Sequence, residues 1–230
     1  MAARMADSHD SGQVERCIPA PKEKLAINIV TWAAGKPIYR IHSALFTAAQ
    51  FNLGQGCARF SPMRNGVPTL YGGASTAVAV METVFHDLPV DSAGIPFDLG
   101  RLEGKVHSVV KPVVDLNLAD LNPKTLRKMG VKRAELLDSP AEQYVFTQEY
   151  SVAIYHAYPD VHGLQWSSRQ HGDIALMLFG DRVTSEHLEV VTESERLLES
   201  EHILDIIEQE ADQLGVVLIE FYGGHGPEKA

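Results

Sequence analysis

Cysteine is scarce in this sequence of 230 residues, with two in all, Cys17 and Cys57. They stand in unlike settings without CxxC spacing, which excludes a disulfide framework and a cysteine zinc site. No apolar run approaches the length of about 18 residues that a membrane-spanning helix needs. The opening "MAARMADSHDSGQVERC" has no continuous apolar stretch of the kind a secretory signal carries. Positive charge is in the minority: 20 Lys and Arg stand against 30 Asp and Glu, a formal net charge of −10. An acidic surface repels phosphate polyanions, so general nucleic-acid or membrane-surface binding is not expected. A small anionic ligand in a locally basic cleft is still compatible. The reading is a soluble protein of a reducing cytoplasm.

At 45% hydrophobic and 22% charged residues the chain can bury a sizeable core. Residues 1–20 are polar and small, which predicts a flexible lead before a single domain over 21–230. "EKLAINIVTWAAG" predicts a short amphipathic helix stopped by Gly35 and Pro37. "PIYRIHS" predicts a strand containing Arg40, and Arg59–Phe60 a second, short one. "VPTLYGG" predicts another strand, closed by its glycine pair.

The clearest helical signal is "ASTAVAVMETVFHDLP". Val78, Met81, Phe85 and Leu88 recur at steps of three and four, Ser75 is the expected N-cap and Pro89 the expected stop. Ser75, Glu82 and His86 form a polar line beside that apolar stripe, which puts a carboxylate at the border of core and cleft.

Further strands are expected in "KVHSVVKPVVDLN", "GLQWSS", "DIALMLFGDR" and "VVLIEFY". Helices are expected in "NPKTLRKMG" and "SPAEQYVFTQEYSVAIYHAYP". From Ser185 onward a helix is expected with Leu197, Leu204, Ile207, Ala211 and Leu214 on one face. Helices and strands interleave without regular βαβ spacing, so the expected class is α+β.

Several motifs fail on their own terms. "LGQGCAR" lacks the third glycine of a dinucleotide loop and no helix opens there. The "EQE" of Glu208–Glu210 lies inside a strong helical period, where a solvated face explains it. The histidines show no HExxH pair, so no metal site is expected. No G-x-S-x-G elbow surrounds Ser167 and Ser168, which excludes an α/β-hydrolase nucleophile. Arg40 and Arg59 each sit between apolar or aromatic neighbours. Guanidinium forks suit bidentate recognition of phosphate oxygens, and two that converge could hold a pyrophosphate.

In order, "YRIHS", "ARFSP", "TLYGGASTAVAVMET", "VVDLN", "FTQEYSVAI" and "GLQWSSRQHGDIALMLF" resemble the RES domain, a toxin family named for its arginine, glutamate and serine. The resemblance covers roughly residues 36–182. It matches Arg40, Glu82 and Ser168 to the three named residues, and Arg59 and Tyr71 to the rest of the family pocket. The family's aromatic–proline–serine stands here as Trp166, Ser167 and Ser168, with Ser167 in the proline's place.

The resemblance implies a fold similar to ADP-ribosyltransferases, with two small twisted sheets flanked by helices and a cleft between them. It implies NAD as substrate rather than as cofactor, with phosphate as a possible co-substrate. It also implies activity as the toxin of a type II toxin–antitoxin system, with a cognate antitoxin protein as partner and a homo-oligomer as a further possibility. The implied reaction cleaves the nicotinamide–ribose bond by phosphorolysis or hydrolysis. In that scheme Arg40 and Arg59 clamp the pyrophosphate, and Tyr71 packs on or hydrogen-bonds the nicotinamide-side ribose. Glu82 stabilises the developing positive charge or binds and orients the ribose hydroxyls, and Ser168 donates a hydrogen bond to a ribose or phosphate oxygen or helps place the acceptor. The alternatives are transfer of ADP-ribose to a protein, or a non-catalytic module that binds a nucleotide or a partner.

Overall fold

The computed structural model describes residues 14–88 and 94–220. In chain order, β1 (Asn28–Trp32), β2 (Ile38–Ser43) and β3 (Thr69–Gly73) lead to α1 (Thr76–Thr83). Next come β4 (Ile95–Asp98), β5 (Lys105–Pro112) and β6 (Leu116–Asp120). Three helices follow, α2 (Pro123–Met129), α3 (Arg133–Leu136) and α4 (Tyr144–Ala157). The chain closes with β7 (Gly163–Ser167), β8 (Ile174–Phe179), β9 (Leu188–Arg196), α5 (Glu201–Leu214) and β10 (Val216–Ile219).

Eight strands form one ladder in the order β1-β6-β7-β8-β3-β2-β5-β9, and β10 pairs with β4 in a separate parallel pair. The ladder pinches in its middle. β3 pairs β8 over five positions and β2 pairs β5 over six, whereas β2 and β3 share only Tyr39↔Gly73. The α+β class with two small sheets is therefore met by two half-sheets joined at a single residue pair. Glycine is required at the join: a Cβ on Gly72 would stand 2.4 Å from Ile38 Cγ2 and 3.0 Å from the Tyr39 carbonyl.

Apolar side chains from both halves, including Trp32, Ile38, Leu70, Val110, Leu118 and Leu178, meet in one buried cluster, so the sheet curls around it. A second cluster packs α4 and the residues around α2 and α3 onto β6–β8, and a third packs α1 and α5 together with Phe97 and Val216. α1 thus lies where the two half-sheets meet, with its Val78 and Val80, and Phe85 just after it, fully buried.

The local signals that held were the ones written into caps and period. Ser75 caps α1 by accepting from Val78 N at 3.2 Å, and Asn122 caps α2, which ends on Gly130 in the left-handed region. The stop expected at Pro89 lies outside the described residues.

Three secondary-structure expectations fail. The helix expected over "EKLAINIVTWAAG" is instead the edge strand β1, paired with Asp120–Leu116. Its β-branched Ile29, Val30 and Thr31 suit a pleated, half-buried surface better than a helix. Arg59–Phe60 forms a turn closed by an Ala58↔Ser61 bridge rather than a strand. Part of the segment read with the last helix is β9, a nine-residue strand, and α5 begins only after Ser200. Its buried face carries Ile203, Ile207, Ala211 and also Glu210, which was expected on a solvated face, while Leu197 belongs to the short turn before it.

From residue 14 the expected lead is not loose. Ile18 is buried, Tyr150 donates to the Pro19 carbonyl at 2.9 Å, and Arg16 pairs with Glu149.

Candidate functional site

Between α1, the loop before β3 and the start of α4 lies a cleft of about 320 Å³. That is at the lower end of the range for small-molecule sites. Arg40, Arg59, Tyr71 and Glu82 all line it, together with His86, Tyr144 and Trp166. Trp166 is nearly buried and meets Phe60 edge-on at 5.2 Å and Tyr71 at 6.2 Å. These rings make one wall aromatic.

Beyond its own Ala58–Ser61 bridge the loop carrying Arg59 has no strand partner, so side chains satisfy the rest of its backbone. α4 supplies them. Gln148 Nε2 donates to the carbonyls of Ala58 (3.1 Å) and Ser61 (2.9 Å). Ser151 Oγ donates to the Phe60 carbonyl at 2.9 Å, and Thr147 Oγ1 donates to that of Arg59. Tyr71 completes the set by accepting from Phe60 N at 3.2 Å. Burial also pushes its phenol well above the ordinary range, so it stays protonated. The polar residues of "FTQEYS" are thus buried because a loop leans on them.

Glu82 projects from α1 at the cleft border and, among the described residues, makes no hydrogen bond or ion pair. Its charge is felt nonetheless. Burial lowers the pKa of Arg59, while Tyr144, Glu82 and Asp138 push it back up. The Arg59 guanidinium is held by Ser139, whose carbonyl and hydroxyl each accept from Nη1 at 3.0 Å. Its Nη2 reaches Tyr144 Oη at 3.4 Å, and its head lies 5.0 Å from the Tyr144 ring centroid.

The two arginines expected to converge do not share a grip. Arg40 lines the cleft, but its head donates to the carbonyls of Tyr71 (3.1 Å), Gln50 (3.4 Å) and Ala48. Alternation along β2 sends it with Ile38 toward the inside of the curled sheet, whereas Tyr39 and Ile41 face α1. Burial depresses its guanidinium to about 10, with Glu193 partly offsetting. Three of its five donor N–H groups are spent on backbone.

Ser168, unlike Arg40, is not on the cleft wall. It is 1% exposed in the turn between β7 and β8, where its hydroxyl accepts from His171 N at 3.4 Å. Ser167 Oγ donates to the Gly172 carbonyl in the same turn. The turn matters to the cleft through Gln170, which donates to the Phe85 carbonyl at 2.8 Å and so ties the end of the α1 segment in place.

The sequence reading missed Tyr144 altogether, because nothing in "EQYVF" marks it apart from a core aromatic. His86 was noticed only as part of a polar line. The thiols of Cys17 and Cys57 are both free and exposed. Among the described residues no three His, Cys, Asp or Glu side chains are grouped to hold a metal ion, and no helix is long and apolar enough to cross a membrane.

A family model described as the RES domain matches residues 37–198. Among solved structures, the chain is similar to one from the M. tuberculosis MbcT-MbcA toxin-antitoxin complex. That likeness has a TM-score of 0.56 and 14% identity and covers 76% of this chain and 92% of that chain, which is a likeness of fold. No curated protein matches.

Proposed function

Because this chain belongs to the RES domain family, we propose that its cleft binds NAD and breaks the bond between nicotinamide and ribose, as the toxin of a toxin–antitoxin pair. The observation that carries the reading is Glu82: a carboxylate without a partner among the described residues, on a helix, facing a cleft with a buried guanidinium and an aromatic wall. Half-exposed on the cleft wall, that carboxylate is free to meet a ligand. The antitoxin partner is supported by the likeness to a chain from a toxin–antitoxin complex.

In this scheme Arg59 meets the diphosphate. Its Nε–H has no acceptor among the described residues, and its remaining groups are already oriented by Ser139 and Tyr144. Trp166 and Tyr71 offer apolar faces to the nicotinamide riboside end. As the C1′–N bond breaks, the electron pair stays on the pyridine nitrogen, which becomes neutral, and positive charge grows on the ribose. Glu82 stabilises that charge without having to move. Phosphate or water then adds at C1′. Arg40 acts by holding the loop at Ala48–Gln50 against β3, and Ser168 by shaping the turn that carries Gln170.

The test is release of nicotinamide from NAD, with and without added phosphate. Glu82→Gln keeps the shape and removes the charge, so turnover should fall by a factor on the order of 10²–10³ while NAD still binds. Wild-type turnover in that variant would sink the assignment, and label appearing on a macromolecule would move the acceptor to a protein.

A further inference from the structure

Tyr144 Oη stands where the buried arginine and the histidine of the cleft meet. It lies 2.7 Å from His86 Nε2 and accepts from Arg59 Nη2 at 3.4 Å. Both Tyr144 and His86 line the main cleft, and both also line a side chamber of about 240 Å³ beyond it, with Arg169 on its wall.

A phenol has a single proton, and a guanidinium can only donate. Tyr144 therefore accepts from Arg59 and has one proton to place. If His86 Nε2 is bare, that proton goes to His86, whose own ring proton then sits on Nδ1. If the imidazole gains a second proton, Nε2–H becomes the donor. Tyr144 then accepts twice, and its hydroxyl proton has to turn away from both donors, toward the spaces that Tyr144 lines.

We propose that His86 and Tyr144 form a protonation-controlled donor pair that tightens the cleft's hold on the anionic diphosphate of its substrate as His86 becomes charged. Both are positioning residues, since neither has to touch the reacting atoms. The inference rests on the reading of the cleft as an NAD site.

The charged and titratable groups around the pair are of both signs and come from every neighbouring element. Glu82 and Asp87 lie on and just after α1, with Asp87 Oδ1 3.9 Å from His86 Nε2. Arg59 comes from the loop before β3, Glu142 from the turn before α4, and Arg169 from the turn after β7. Adding one positive charge and one donor to this setting favours an anion.

The experiment measures KM and kcat for NAD from about pH 5.5 to about pH 8.5, across the histidine range. Wild type should show KM falling by about fivefold or more toward acid, the usual lower bound for coupled binding events, with kcat moving less. Tyr144→Phe keeps the ring under Arg59 and removes only the oxygen. His86→Gln keeps a hydrogen-bonding partner for Tyr144 but cannot change charge. Both should flatten the KM profile, and a wild-type profile in either variant overturns the proposal.

Should wild type release no nicotinamide at any pH, the NAD reading itself fails. The coupling is then decided by NMR titration of the His86 ring in the free protein. A midpoint shifted by Tyr144→Phe supports the pair, and an unchanged midpoint overturns it.

Discussion

Arg40 and Arg59 line the same cleft, and each is almost wholly buried, yet they belong to two differently built regions. Arg40 grows from a regular strand whose backbone is already paired, and it spends its donors on the carbonyls of Tyr71, Ala48 and Gln50. Arg59 grows from an irregular loop that α4 holds through Thr147, Gln148 and Ser151. Its head is oriented by Ser139 and Tyr144 and lies within the field of Glu82. The first region uses an arginine as a strut that closes the curled sheet. The second uses one as a cationic wall beside a carboxylate that has no partner among the described residues. A shared residue type, and even a shared place in a family motif, does not imply a shared task.

The sharpest way to break this contrast is Arg40→Met. Removing the strut leaves the buried Ala48 carbonyl and the part-buried carbonyls of Tyr71 and Gln50 without this donor, which should cost ~2 kcal/mol, or roughly 4–8 °C in Tm by thermal unfolding. KM for NAD should stay near wild type in the fraction that remains folded. Arg59→Lys should do the reverse. A point charge cannot reproduce the fork or its stacking on Tyr144, so KM should rise about tenfold, equivalent to about 1.4 kcal/mol, with a smaller fall in Tm. If the two variants exchange these signatures, the assignment of strut and wall is wrong.

The smallest expected effect is on pH dependence. Burial lowers the pKa values of His42, beside Arg40, and of His107, which contacts Thr76 at the start of α1. With folded pKa values below the unfolded one near 6.5, the unfolded chain takes up protons first as the solution is acidified. Stability is then full at neutral pH and declines between about pH 7 and pH 5. Tm measured across that window should fall, and His42→Asn should make the fall shallower. An unchanged slope would remove His42 from the account.

Much of the architecture was legible along the chain. α1 announced itself through Ser75 and the apolar steps from Val78 to Phe85, and α2 through Asn122 and Gly130. Glu82 could be placed at a cleft border from its position on that helix alone. The failures were at β1 and β9, edge strands whose identity depends on pairing with β6 and β5 rather than on their own period. Tyr144 could not be found because its partners, Arg59 and His86, lie 85 and 58 residues away.

What the sequence determined by itself was what neighbours within a few residues can enforce: caps, stripes, the glycine pair of β3, and the set of polar groups available to a site. Only the tertiary structure decided which of those groups meet. It turned Arg40 into the curl, buried Ser168 in a turn, and set Tyr144 between Arg59 and His86. The reason is that a buried donor must find its acceptor wherever the folded backbone leaves one, and that acceptor is supplied by distant chain.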